Sequence, residues 1–136
     1  MEEKSSGLIL AEGIHAGFPS PAQDYSDQAI DLNKELIRHP SATFFGRVAG
    51  DSMCDAGVDE GDLLIIDRSV PASDGDMIVC YLDGEFALKT LRMEEGRPVL
   101  YAANPKYRPI PIEDGSDFRA WGVVTYIVKN VRAGRL

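Results

Sequence analysis

From Ser41 onward the chain is a series of short apolar or β-branched runs, TFFGRVAG, DLLIIDRS, DMIVCYLD, EFALKTLRM, RPVLYAAN and AWGVVTYIVKNV, separated by Gly, Pro and Asp clusters. Runs of this length and composition, punctuated in this way, are strands. The pair Asp83-Gly84, between DMIVCYL and EFALKTL, is the strongest hairpin signal, because the favoured two-residue turn requires φ > 0 at both central positions. Those two runs are expected as antiparallel neighbours. The fold class is therefore mostly β.

The first 40 residues differ. GFPSPAQDY places Pro19 and Pro21 around a serine, and its flanks lack strand alternation. This predicts an extended arm. Within it, YSDQAIDLNKELIRHP predicts one short helix, with Ser26 as its cap, Ile30, Leu36 and Ile37 on a ragged apolar side, and an end before Pro40. At 136 residues the chain is long enough for one domain with a real core. We expect an arm over 1–40 and a β domain over 41–136.

Fourteen basic against 22 acidic residues give a net charge of −8. Such a surface repels phosphate, so direct sequence-specific DNA binding is not expected and any DNA role calls for a partner. No apolar run approaches the roughly 20 residues that span a bilayer, and MEEKSSGLILAEG lacks the basic flank of a signal peptide. A cytoplasmic protein without a membrane association is the expectation. Cys54 and Cys80 form neither a disulfide framework nor a metal-ligand cluster.

The stretch GDSMCDAGVDEGD, Gly50 to Asp62, sets a serine between an aspartate and a methionine. A serine hydroxyl needs a nearby base to act as a nucleophile. The chain has only His15 and His39, both in the arm, so a Ser-His-Asp triad is disfavoured. GDSMC is not a G-x-S-x-G elbow, and no serine is followed by lysine three residues on. Lysine is the remaining candidate base. Alternation in EFALKTLRM puts Ala87, Lys89 and Leu91 on one face, so Lys89 stands between two apolar neighbours. Burial disfavours an ammonium and makes a neutral amine accessible, as a Ser-Lys dyad requires. On residues alone Ser52 reads either as a nucleophile or as a turn former, and Lys89 either as its base or as a strand lysine whose amine snorkels to water. The acids Asp51, Asp55, Asp59, Glu60 and Asp62 lack D-x-[DN]-x-[DN]-G spacing and read as a solvated loop, so no metal and no cofactor is expected. Cys54 has nothing basic beside it in sequence to hold a thiolate.

Taken together, GFPSPAQDY, IDLN, HPSAT, GDSM, GDLLIID, Gly75-Asp76 and DGEFALK resemble the LexA-like family of self-cleaving serine peptidases, in its UmuD branch, from about Gly17 to Val131. The resemblance implies a LexA/signal-peptidase-like β fold of short, strongly bent antiparallel strands with an extended N-terminal arm. It makes Ser52 the nucleophile, Lys89 the general base and Ala16-Gly17 the scissile bond, with Ala16 suited to a narrow first pocket. Backbone N–H groups of Asp51 and Ser52 are the oxyanion donors it suggests. It also implies a homodimer, cleavage stimulated by a RecA filament on single-stranded DNA, and a trimmed form, Gly17 to Leu136, that joins a UmuC-type Y-family polymerase in error-prone translesion synthesis. MEEKSSGLILAEGIHA departs from the family's arm.

Sixteen residues before Gly17 leave no length for a helix-turn-helix, which disfavours a repressor. Other readings are a LexA-like or signal-peptidase-like enzyme that cuts other proteins, and a non-cleaving polymerase-binding module. Phe18 and Pro19 are expected to hold the bond extended. Trp121 is expected in the core or a dimer contact, and Gly57 and Gly61 at turns.

Overall fold

The computed structural model describes residues 9–11, 25–50 and 53–132. The chain divides into two compact units, Met1–Arg38 and His39–Leu136. In the first, β1 (Ile9–Ala11) pairs antiparallel with β2 (Tyr25–Ala29). It also holds α1 (Leu32–Leu36), whose N-cap is Asp31, its carboxylate accepting from Asn33 N–H at 3.1 Å. The short helix expected here thus exists, but Ser26 is not its cap and the arm is not extended throughout. Tyr, Ser and Asp are weak helix formers, so Tyr25–Ala29 takes a strand partner. Asp31, directly before Leu32, is the better-placed cap.

The second unit is one antiparallel sheet. Its strands are β3 (Thr43–Arg47), β4 (Leu63–Asp67), β5 (Met77–Leu82), β6 (Glu85–Glu94), β7 (Arg97–Tyr101), β8 (Ile110–Pro111) and β9 (Phe118–Val128). They lie in the order β3-β4-β9-β5-β6-β7-β8. The six runs expected from sequence are all strands, and β8 is an addition. Leu82 pairs with Glu85 across Asp83 (φ 48°) and Gly84 (φ 97°), the turn anticipated from Asp-Gly. A second turn of the same kind, Glu95 (φ 53°) and Gly96 (φ 77°), joins β6 to β7.

Alternation builds the core on one face: Ile78, Cys80, Leu91, Leu100 and Val123 pack together, with Ala87, Val70 and Phe118 against them. Leu64, Ile65 and Ile66 are all buried, so β4 is covered on both faces, as its unbroken apolar run requires. β9 is the hub, pairing with β4 and β5. It carries an extra residue against each: Thr125 against β4 and Trp121 against β5. These bulges bend the strand. At the first the Thr125 side-chain Oγ1 donates to Ile65 O at 3.2 Å, and at the second the Trp121 carbonyl accepts from Arg68 Nε at 2.9 Å.

Candidate active site

Lys89 lies in β6 opposite Ile78, between Ala87 and Leu91 on the core face, and is partly buried. Its Nζ sits 5.4 Å from the centre of the Tyr107 ring. This contact with the phenol face orients the end of an otherwise flexible side chain. Lys89 is close enough to Cys80 to pull that thiol's pKa down, although burial, the stronger effect, pushes it up. A thiol so buried and so raised is a core residue, not a nucleophile.

The loop from Val48 to Asp62 contains Ser52 by sequence. Asp51 and Ser52 lie outside the described residues, as do Ala16 and Gly17, His15 and the Cys54 side chain. The neck of the loop is well defined: Val48 N–H donates to Asp62 O at 3.0 Å and Gly61 N–H to Val48 O at 2.8 Å. Arg47 Nη1 donates to Gly61 O at 3.0 Å. Gly57 (φ 80°) and Gly61 (φ 92°) are the turn residues their sequence suggested. Met53, next after Ser52, is 2% exposed.

A third segment brings these parts together. Asp55 N–H donates to Ala103 O at 2.7 Å, and Ala103 N–H to Met53 Sδ at 3.4 Å. The 102–107 segment that follows β7 is therefore stitched to the Ser52 loop, and four residues on it presents Tyr107 to Lys89. Asn104, buried, shapes the segment by accepting from Lys106 N–H at 3.0 Å. A cleft of about 410 Å³ is lined by Met53 and Lys89 together with Gly46, Leu64, Ile66 and Val79. Its lining is mixed, with apolar side chains on the walls and the Arg47 and Lys89 side chains among them. A larger concavity of about 830 Å³, lined by Glu94, Arg97, Tyr101, Arg108 and Pro111 among others, contains neither Lys89 nor any described residue of the Ser52 loop.

Several titratable groups were not foreseen in their roles. Asp62 is 5% exposed, so the acidic loop is not wholly solvated as expected. Its Oδ2 accepts from Asp59 N–H at 2.9 Å and from Lys129 Nζ at 2.6 Å, and Lys129 also reaches Asp59 Oδ2 at 2.7 Å. The Asp59 amide and then Lys129 lower the Asp62 carboxyl, while Asp59 and Asp62 raise the Lys129 amine. His39 is engaged with an acid: its Nδ1 lies 2.6 Å from Asp67 Oδ2, and Ser69 N–H and Oγ donate to Asp67 Oδ1 at 2.8 and 2.6 Å. These bonds, His39 first, hold the Asp67 carboxyl at about 2. Trp121 is partly exposed, edge-on to Phe44 and Phe86 with the Arg68 guanidinium 4.3 Å from its centre. No sequence signal ties Lys129 to Asp62, since they meet only through strand register.

Comparison with known proteins agrees with this architecture. The model of the "Peptidase S24-like" family matches residues 9–125. Protein ImpA of Escherichia coli is 40% identical over 132 residues, covering 91% of this chain and 84% of ImpA. Protein MucA of Salmonella typhimurium is 44% identical over 114 residues, covering 83% of this chain and 77% of MucA. The LexA repressor of Shewanella piezotolerans is 36% identical over 112 residues, 82% of this chain but 54% of the repressor. With its bent antiparallel sheet and these relatives, the chain belongs to the peptidase S24-like family, as a UmuD-like SOS mutagenesis protein and self-cleaving serine peptidase.

Proposed function

We propose that Ser52 is the nucleophile, that Lys89 is its general base, and that the substrate is the chain's own Ala16-Gly17 bond. The observation that carries this is the position of Lys89. It is partly buried, braced by Tyr107, and shares a cleft with Met53, the neighbour of Ser52. In this reading residues 1–40 form the arm and 41–136 the peptidase domain. Tethering the bond to its own enzyme makes the attack effectively unimolecular. The Lys89 amine takes the hydroxyl proton as Ser52 Oγ bonds to the Ala16 carbonyl carbon. Backbone N–H groups of Asp51 and Ser52 hold the oxyanion. Collapse breaks the bond to Gly17 N, which leaves as an amine with the proton returned by Lys89, and water then hydrolyses the acyl-enzyme. We further propose a cytoplasmic homodimer, stimulation by a RecA filament on single-stranded DNA, and transfer of the trimmed form to a UmuC-type Y-family polymerase. Among the described residues no helix is long and apolar enough to cross a membrane.

The test is intact mass after incubation at about pH 10, where an ordinary lysine amine begins to lose its proton. The expected product begins at Gly17 in the wild type and is absent from Ser52→Ala and Lys89→Ala. Absence of cleavage in the wild type, with RecA filaments also supplied, refutes the assignment. A product in either variant removes that residue from the mechanism.

A further inference from the structure

The register of β4 against β9 pairs Leu63 with Val128, which sets Asp62 and Lys129, one residue beyond each, side by side at the mouth of the Ser52 loop. There one ammonium meets two carboxylates. Lys129 Nζ lies 2.6 Å from Asp62 Oδ2 and 2.7 Å from Asp59 Oδ2, while the same Asp62 oxygen accepts Asp59 N–H at 2.9 Å. Asp62 is almost fully buried, whereas Lys129 remains about one-third exposed. Immediately inside this junction are the two backbone bonds between Val48 and Gly61–Asp62 that close the loop. Asp62 contributes to both layers, its carbonyl to the neck and its carboxylate to the ion cluster. Remove the ammonium and a buried carboxylate faces a second one across the turn with no cation between them. Asp59 is already in water, so it is Asp62 that the turn has to open to hydrate, and the neck opens with it.

From this we infer that Lys129 is a positioning residue for self-cleavage: by clasping Asp59 and Asp62 it holds the neck of the loop that delivers Ser52 to Lys89. The inference rests on the Ser52–Lys89 reading above. Among the described residues the Lys129 ammonium bonds to Asp59 and Asp62. Its influence runs through Asp62 to Val48 and Gly61, and from there along the loop to Met53, which the Ala103 stitch holds beside the cleft. A displacement of about 1 Å at a nucleophile costs on the order of 10²-fold in rate.

The experiment uses the full chain with Lys129→Met, Lys129→Arg, the milder Asp62→Asn, and Val99→Ala as a destabilised core control away from the loop. Thermal unfolding is recorded for each, and rates are compared at a temperature where all are folded. Two rates are read: self-cleavage by intact mass, and phosphonylation of Ser52 by a small fluorophosphonate, in which Oγ bonds to phosphorus as fluoride leaves and which needs no arm. The expected result is a loss of tenfold or more in both rates for Lys129→Met, a loss in the same direction for Asp62→Asn, and recovery to within about threefold for Lys129→Arg. Val99→Ala should cleave normally despite its lower unfolding temperature. The inference is overturned if Lys129→Met, or Asp62→Asn should Lys129→Met not fold, cleaves within twofold of a cleaving wild type. It is also overturned if Val99→Ala slows in proportion to its stability, or if cleavage slows while Ser52 phosphonylation does not. A wild type that neither cleaves nor is phosphonylated defeats the Ser52–Lys89 reading itself.

Discussion

Gly122, at the centre of β9, lets the sheet close over Ile66. A methyl group built there would sit 2.5 Å from Ile66 Cγ2 and 3.6 Å from the Asp67 carbonyl oxygen. Carbon atoms rest at about 3.5–4.0 Å, so the shortfall is about 1 Å. Ile66 cannot easily yield, because it is 4% exposed and its β-branched side chain has few rotamers to move into. Against the clash stands the ordinary benefit of replacing a strand glycine, about 0.5–1 kcal/mol. Overpacking a core costs about 1–3 kcal/mol, so the clash wins and Gly122→Ala should destabilise by about 1–2 kcal/mol. Urea denaturation with an unchanged m-value measures this. Because Ile66 lines the Lys89 cleft, its displacement should also slow self-cleavage. A double-mutant cycle isolates the cause: Ile66→Ala alone should cost about 2–5 kcal/mol, and in its presence Gly122→Ala should lose its penalty, giving a coupling of at least about 1 kcal/mol. A Gly122→Ala protein more stable than its parent, or costs that simply add, would refute the packing argument.

Three further outcomes are expected. Lys89→Met, which keeps the apolar stem beside Ala87 and Leu91, should fold with near-parent stability yet lose self-cleavage by about 10²-fold or more, as read by intact mass. The Asp67 carboxyl is depressed from 3.8 to about 2, chiefly by His39, so its stabilising contribution is complete above about pH 4 and is lost as the pH falls from there through about 2. Acid unfolding followed by circular dichroism should show Asp67→Asn less stable than wild type at neutral pH, with the gap closing across that window; a gap constant down to pH 2 counts against the pair. Gly84→Ala, forced to φ 97°, should cost about 1–2 kcal/mol in chemical denaturation, and an unchanged midpoint would mean that the β5–β6 turn has another form.

The sequence alone determined what is local. Strand runs from Thr43 onward could be recognised because half-buried pleated surfaces select β-branched and aromatic residues and reject Gly and Pro. Asp83-Gly84 was readable because only certain residues tolerate two successive positive φ angles. Lys89 stood out for the same reason, its two apolar neighbours in EFALKTL being fixed by period two. The helix cap was misplaced at Ser26 because a strand partner for Tyr25–Ala29, remote in sequence, outweighed a weak local preference.

Only the tertiary structure decided what depends on register between distant strands. The insertion of β9 between β4 and β5 is invisible in the order of the runs, yet it sets Lys129 against Asp62. The same pairing puts Gly122 under Ile66. The path after β7 carries Ala103 to Met53 and Tyr107 to Lys89 across separations of 50 and 18 residues, which no sequence period encodes. Asp62 and Asp67 look like any surface acids in the sequence. Burial gave each of them a partner, because a carboxylate removed from water persists only where cations and N–H groups replace its hydration.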